Sequence, residues 1–316
     1  MTAFAPCERV IVGSLGDRHV DQVVRHLPAR STVVIDAGSI PDVLIYIDDE
    51  HTVAKDLTGS AVSIGPPNRT RGWIRRLAEP SWDNGAVIGS RRAAELATQL
   101  ASLSIILRDP MIEWLTPIDT QLSSENKMLQ ARDARALQIP SPEAIIGGSP
   151  EYIRSRIGEQ AVVKPLGPGN YEHAGEQHIV YAQAVPVESL TALDTLNPTF
   201  LSQRLIRADR HLRIVTVADR TWGAALLASG LPLDWRMNAA AHSSFAPHDL
   251  TIGEINSAQR IAQKMGVRYS AQDWIQTNDG KAAFIDLNPG GQWLFLPRTI
   301  AGQITAELAK WLGSSA

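Results

Sequence analysis

The stretch from Arg268 to Leu296, RYSAQDWIQTNDGKAAFIDLNPGGQWLFL, limits the fold more than any other part of the chain. Two extended runs, Ser270–Asn278 and Lys281–Leu287, flank Asp279-Gly280. That dipeptide supplies the positive φ angles of a two-residue turn, so the stretch reads as an antiparallel β-hairpin. Pairing Asn278 with Lys281 then sets Asp273 directly opposite Asp286. Carboxylates so placed repel and weaken the sheet. A cation between them removes that penalty most simply. Asn288, two residues past Asp286, shares its face and adds a neutral oxygen. Two Asp and one Asn, with no Cys or His nearby, make an all-oxygen donor set that suits magnesium and not zinc. So few protein ligands also leave room for the waters and phosphate oxygens that magnesium keeps. The competing reading is a one-residue register shift, which turns one Asp out to solvent.

A nucleotide site needs phosphate partners elsewhere, and composition narrows the setting. The chain has 316 residues, 44% of them hydrophobic, enough for a sizeable core in two or three subdomains. A net charge of −3 gives no basis for general nucleic-acid or acidic-membrane binding. The single Cys7 excludes a disulfide framework and a cysteine metal cluster and fits a reducing cytoplasm. The N-terminal residues lack a long apolar core, so no signal peptide is expected, and no apolar run approaches membrane-spanning length.

Residues Arg9–Ile47 alternate strand, helix and strand. Gly13-Ser14-Leu15-Gly16-Asp17 does not complete a dinucleotide fingerprint and reads as a tight strand-to-helix turn. A second α/β portion follows, with a long helix near Ala86–Ser104 and a junction at Asp109-Pro110 and Thr116-Pro117. A helix over Ser124–Leu137 carries Lys127 in its first turn, where a cation opposes the helix dipole unless it is solvated or an anion lies nearby. Lys164 ends a strand before LGPGNYEHAG, a glycine-containing loop able to close over a polyphosphate; a surface hairpin with an exposed lysine is the plainer alternative. Phe200–Ile206 reads as a covering strand and hinge. Arg213 lies inside a strand, which is costly unless it is paired or reaches a polar cleft. Thr251-Ile252-Gly253-Glu254 is a capping box opening an amphipathic helix, and another such helix covers Thr299–Leu312.

In order, Lys127, Lys164 with its loop, Gln203–Ile206, Arg213, Arg236-x-Asn238, Asp273 and Asp286-x-Asn288-Pro289 resemble the ATP-grasp superfamily of carboxylate–amine ligases. Trp73-Ile74-Arg75-Arg76, Asp234-Trp235-Arg236 and Asp286-Leu287-Asn288-Pro289-Gly290-Gly291-Gln292-Trp293 are similar to its peptide-maturing branch, the microviridin-type graspetide synthetases. The superfamily resemblance covers about residues 109–296. It implies an α/β fold with α+β subdomains: an N-terminal pre-ATP-grasp domain over 1–108, a central subdomain over 109–205 and a C-terminal subdomain over 206–316.

It further implies that Lys127 and Lys164 hold ATP phosphates and that Gln203, Arg204, Leu205 and Ile206 line the adenine pocket, with Asn238 close to the nucleotide. Asp273, Asp286 and Asn288 would hold Mg2+. Arg213 and Arg236 would stabilise the transferred phosphoryl group and an acyl phosphate. A hydroxyl or amine then displaces phosphate, giving an ester or amide. Arg204 stands where the superfamily usually carries a ribose-binding Glu, with Asp209 as its substitute, and His211 stands where an Asp often precedes the strand arginine. The implied activity is macrocyclisation of a ribosomal precursor peptide, with the N-terminal domain serving dimerisation or substrate docking. A ligase for free amino acids or short peptides, a non-catalytic nucleotide-binding module and a dinucleotide-dependent oxidoreductase are the alternatives.

Overall fold

The computed structural model describes residues 4–65, 70–166, 170–173, 176–190 and 200–314. The chain divides into two compact units. Unit 1 takes Met1–Gln121, Val267–Tyr269 and Ala301–Ala316, and unit 2 takes Leu122–Gly266 and Ser270–Ile300.

Unit 1 runs through β1 (Ala5–Pro6), β2 (Arg9–Val12), α1 (Arg18–Val24), β3 (Thr32–Ile35), α2 (Ile40–Val43), β4 (Leu44–Ile47), β5 (Thr52–Lys55), β6 (Ala61–Ile64), β7 (Thr70–Ile74), α3 (Arg91–Leu107) and β8 (Ile112–Trp114). Strands β3-β2-β7-β8 form a parallel sheet, and β1-β6-β5-β4 form a second sheet. Val10, Ile11 and Val12 are all buried, as expected of a parallel strand covered on both faces. Val10 and Val12 pack in one core with Val33, Ile35, Leu103 and Ile106.

The turn after β2 is tight for a steric reason: a Cβ on Gly13 would meet Val20 Cγ2 at 2.9 Å. Asp17 caps α1 by accepting from His19 N, and its carboxylate also faces Arg75 Nε at 3.3 Å and His19 Nδ1 at 3.0 Å. Burial opposes ionisation of Asp17, but His19 and Arg75 outweigh it and hold the carboxyl well below its usual range. Burial likewise lowers the His19 pKa, an effect that the Asp17 carboxylate offsets only in part.

The helix α4 (Ile118–Ser124) crosses the division between the units, and unit 2 continues with α5 (Lys127–Ala136), β9 (Ala144–Ile146), α6 (Pro150–Ile157), β10 (Gln160–Pro165), β11 (Asn170–His173), β12 (Glu176–Ile179), β13 (Gln183–Pro186) and β14 (Phe200–Arg204). Then come β15 (Arg210–Val217), β16 (Arg220–Leu227), β17 (Ala246–Pro247), α7 (Ile252–Lys264), β18 (Tyr269–Gln276), β19 (Ala282–Asn288) and α8 (Arg298–Gly313). One sheet has the order β13-β10-β14-β9 and is backed by Ile153 and Ile157 of α6. The larger sheet has the order β17-β16-β15-β18-β19. The expected capping box opens α7, with Thr251 and Glu254 bonding reciprocally.

Two local features differ from the sequence reading. The helix expected over Ser124–Leu137 is broken, and Asn126 caps a new helix whose first residue is Lys127. Part of the expected glycine loop is itself a strand, since β11 pairs with β12, and β13 takes the place beside β10. Residues 167–169 and 174–175 of that loop lie outside the described residues. Among the described residues no helix is long and apolar enough to cross a membrane.

Two outcomes test this packing. Gly72 sits where a Cβ would run into the Trp114 indole and Ile112 Cγ2. Gly72→Ala should lose about 1–3 kcal/mol in urea unfolding through overpacking. The folded-state pKa of His19 is depressed, so its contribution to stability is present above the ordinary value of 6.5 and is lost as pH falls below it. A His19→Gln variant should therefore show a shallower fall in melting temperature on acidification from pH 6.5.

Candidate active site

The cleft of unit 2 is built on the β18–β19 hairpin. Its turn has one more residue than the sequence suggests. Thr277 N donates to Lys281 O at 2.9 Å, and Gly280 takes a φ of 79° between them. Beyond this turn Gln276 pairs with Ala282 and Trp274 with Phe284, a register that on its own would set Ile285 against Asp273. A β-bulge intervenes. Ile285 is left without a partner, the register shifts by one residue, and Asp273 faces Asp286 after all, followed by Ala271 against Asn288. Adjacent side chains Ile285 and Asp286 both line the cleft, as a bulge permits and a regular strand does not. The expected opposition of carboxylates is present, reached through a longer turn and a compensating bulge.

Arg213 explains part of how that opposition is tolerated. Its Nη1 donates to Asp273 Oδ1 at 2.7 Å and its Nη2 to Gln292 O at 3.1 Å. The guanidinium also lies over the Phe295 ring, 5.8 Å from its centroid. The Gly290-Gly291 step makes this approach possible, because a Cβ on Gly291 would meet Ala271 Cβ at 2.5 Å and Arg213 Nη2 at 3.2 Å. Arg213 is thus engaged from the protein side and is not among the residues lining the cleft.

Lys127, Lys164, Gln203, Arg204, Ile206, Arg236, Asp273, Asp286 and Asn288 line one cavity of about 700 Å3. Nine of the thirteen residues singled out from the sequence are therefore brought together. Burial lowers the Lys164 pKa, and Asp286 and Asp273 offset that only in part. Arg236 chelates Asp234 through Nε at 2.7 Å and Nη2 at 2.6 Å, which raises its pKa above the ordinary arginine value. Asp234 also accepts from Ala182 N at 3.2 Å, joining the chain after β12 to the arginine's position. Burial keeps His211, another cleft residue, below its ordinary pKa, with Asp273 and Asp234 working against the shift.

Leu205, Asp209 and Asn238 fall outside the lining residues, along with Arg213. The Asp209 side chain faces Arg210 at 3.7 Å, and its backbone bonds Gln276 and Ala228. Asn238 accepts from Ala240 N at 3.0 Å, capping a 3-10 turn, and lines a second cavity of about 470 Å3. The carboxylate beside Arg204 is that of Glu143, 3.1 Å away, and Arg156 shares it. Sequence reasoning passed over Tyr181, His242, Ile285 and Gln292 as cleft residues. Gln292 and Ile285 carried a signal, Gln292 inside a quoted motif and Ile285 beside Asp286, whereas nothing local marked Tyr181 or His242.

The donor set fits a magnesium nucleotide. Two carboxylates and an amide, with no sulfur or imidazole ligand in that set, line the cleft together with two lysines and two arginines. Among the described residues no group of three or more His, Cys, Asp or Glu comes together as a metal cage.

No family model matches the chain, and no curated protein is similar to it in sequence. Solved structures are similar in fold. The macrocyclase MdnC of Microcystis aeruginosa MRC, bound with precursor peptide MdnA, has a TM-score of 0.77 at 20% identity, over 96% of this chain and 99% of that one. A Chryseobacterium gregarium RiPP-associated ATP-grasp ligase, in complex with ADP and a leader and core peptide, has a TM-score of 0.82 at 18% identity, over 96% of each chain. The ATP-grasp ligase PsnB, complexed with a phosphomimetic variant of minimal precursor, Mg and ADP, has a TM-score of 0.71 at 16% identity, over 98% of this chain and all of that one.

Arg213→Met should lower unfolding free energy by roughly 3 kcal/mol, the low end for breaking a buried pair, because Asp273 keeps a wet side. Denaturant titration checks this, and the loss should shrink when Asp273 is replaced by Asn in the same chain. Taken together, the architecture is that of the ATP-grasp fold with an N-terminal α/β unit.

Proposed function

We propose that the chain is an ATP-dependent ligase that activates a carboxylate as an acyl phosphate and joins it to a hydroxyl or an amine. Its substrate in this reading is a ribosomal precursor peptide, which it macrocyclises through side-chain ester or amide links. The observation that carries the reading is the single cleft in which Asp273, Asp286 and Asn288 face Lys127, Lys164 and Arg236. Similarity in fold to ligases solved with precursor peptides and ADP supports the peptide as substrate.

Asp273, Asp286 and Asn288 would hold Mg2+, and Lys127 and Lys164 would hold the phosphates of ATP. Gln203, Arg204 and Ile206 would line the base end, with Leu205 supplying backbone beside them. When bound, magnesium ATP supplies the phosphoryl group that converts a poor leaving oxygen into phosphate. The protein's own part is positioning and charge neutralisation, which carry phosphoryl transfer without a protein nucleophile. Lys164 is suited to this because its ammonium is held where water solvates it poorly, so an anion there gains more than at a surface lysine. Arg236, oriented by Asp234, would meet the phosphate that departs when the acceptor attacks the acyl carbon. Arg213 would act on the same chemistry through Asp273. Asp209 and Asn238 have only a supporting place, outside the cleft lining. Unit 1 serves substrate docking or dimerisation in this reading, and the setting is cytoplasmic.

The test is intact mass of any short precursor peptide encoded beside the gene, after incubation with the protein, ATP and magnesium. One water should be lost per link formed, and Asp286→Ala should abolish the loss while retaining the wild-type melting profile. Full turnover by Asp286→Ala would remove the metal assignment. Magnesium-dependent nucleotide binding without any change in peptide mass would move the substrate to a free amino acid or short peptide.

A further inference from the structure

Gln130 lies one turn along α5 from Lys127 and is 1% exposed, an unusual place for a glutamine on a helix that begins at the protein surface. Its amide is fully used. Oε1 accepts from Leu287 N at 2.9 Å, and Nε2 donates to Leu287 O and to Ser124 O, each at 2.8 Å. Only this orientation of the amide satisfies all three partners, since the two carbonyls need donors and the N–H needs an acceptor.

The partner matters because of where it sits. β19 is the outermost strand of its sheet, so one edge of it has no strand to bond. Gln130 bonds both the N–H and the C=O of Leu287 on that edge, as a neighbouring strand would. Leu287 stands between Asp286 and Asn288, and its N–H is shared: 2.9 Å to Gln130 and 3.1 Å to the Oδ1 of Asp286 itself. With Gln130 gone, the Asp286 carboxylate becomes the one acceptor left to that N–H among these contacts, which draws it back against its own backbone. The third bond ties the carbonyl of Ser124, the last residue of α4, and so fixes the entry to α5 that sets Lys127.

We infer that Gln130 is a positioning residue for the metal and phosphate groups of the cleft. It keeps Asp286 and Asn288 aimed into the cavity and fixes Lys127 relative to them. The inference rests on the proposed magnesium-nucleotide reading of the cleft. Groups that orient metal ligands without touching the metal typically change metal affinity by roughly 10- to 100-fold when removed.

The experiment is calorimetric titration of the full chain with ADP, with and without magnesium, beside melting curves. Gln130→Met keeps the volume and removes all three bonds; Gln130→Asn keeps the amide one methylene short and serves if the first variant fails to fold. The unaltered protein should bind ADP more tightly with magnesium. Both variants should lose roughly 10-fold or more of that enhancement, over and above any loss of metal-free ADP binding that a displaced Lys127 brings. An equal loss with and without magnesium, which general damage to the fold would produce, overturns the inference, and so does full retention of the enhancement. If the unaltered protein shows no enhancement by magnesium, the functional reading falls, and this inference with it.

Discussion

Two carboxylates held opposite each other in a β-ladder repel, and much of unit 2 is arranged around groups that keep Asp273 and Asp286 in that position. The bulge at Ile285 brings them into register. Arg213 supplies a buried counter-charge to one of them. Gly291 removes the side chain that would keep Arg213 and β18 apart. From the other side, α5 bonds the free edge of β19 at Leu287. Together these contacts hold an arrangement that a sheet would relax by slipping one residue.

Much of this was legible in the sequence, because periodicity and turn residues are local signals. The capping box at Thr251, the helix near the C-terminus and the hairpin around Asp279-Gly280 all lie where expected. The register at the site was expected through a two-residue turn, whereas the protein uses a longer turn and a bulge whose offsets cancel. Asp-Gly suits both turns, and nothing in Phe284-Ile285-Asp286 marks a bulge, since an isoleucine serves equally in a ladder or out of one. Function of side chains was harder to read. Arg213 and Asp273 are distant in sequence, so their pairing leaves no spacing to recognise. Asp209 and Asn238 are polar residues beside the motifs, but their backbone and capping roles depend on turns that form only in the fold. Gln130 carries the opposite lesson: on a helix wheel it looks like solvent-facing surface.

Unit 1 shows a related economy. At the carboxyl ends of β2 and β7, where open parallel sheets commonly bind ligands, the space is occupied by the protein's own charges. Asp17, His19 and Arg75 meet there, and Arg76 stands 3.7 Å from the same carboxylate. The incomplete glycine pattern and the Trp73-Ile74-Arg75-Arg76 motif therefore have one structural explanation. Glycine lets α1 approach, and Arg75 is kept buried by a capping aspartate.

Unit 1 is also discontinuous in the chain. Arg71 donates to the carbonyl of Trp311, 240 residues later, and lies over its indole at 4.9 Å. During synthesis, β7 must therefore wait for the whole of unit 2 to emerge before this part of its packing can form. Closing so long a loop is entropically slow. Unit 2 has most of its own sequence in one run and is free to condense first. The consequence is an order of events: the segment that begins the chain should be among the last to reach its final stability, and a ribosome stalled before residue 301 would carry unit 1 without its closing helix.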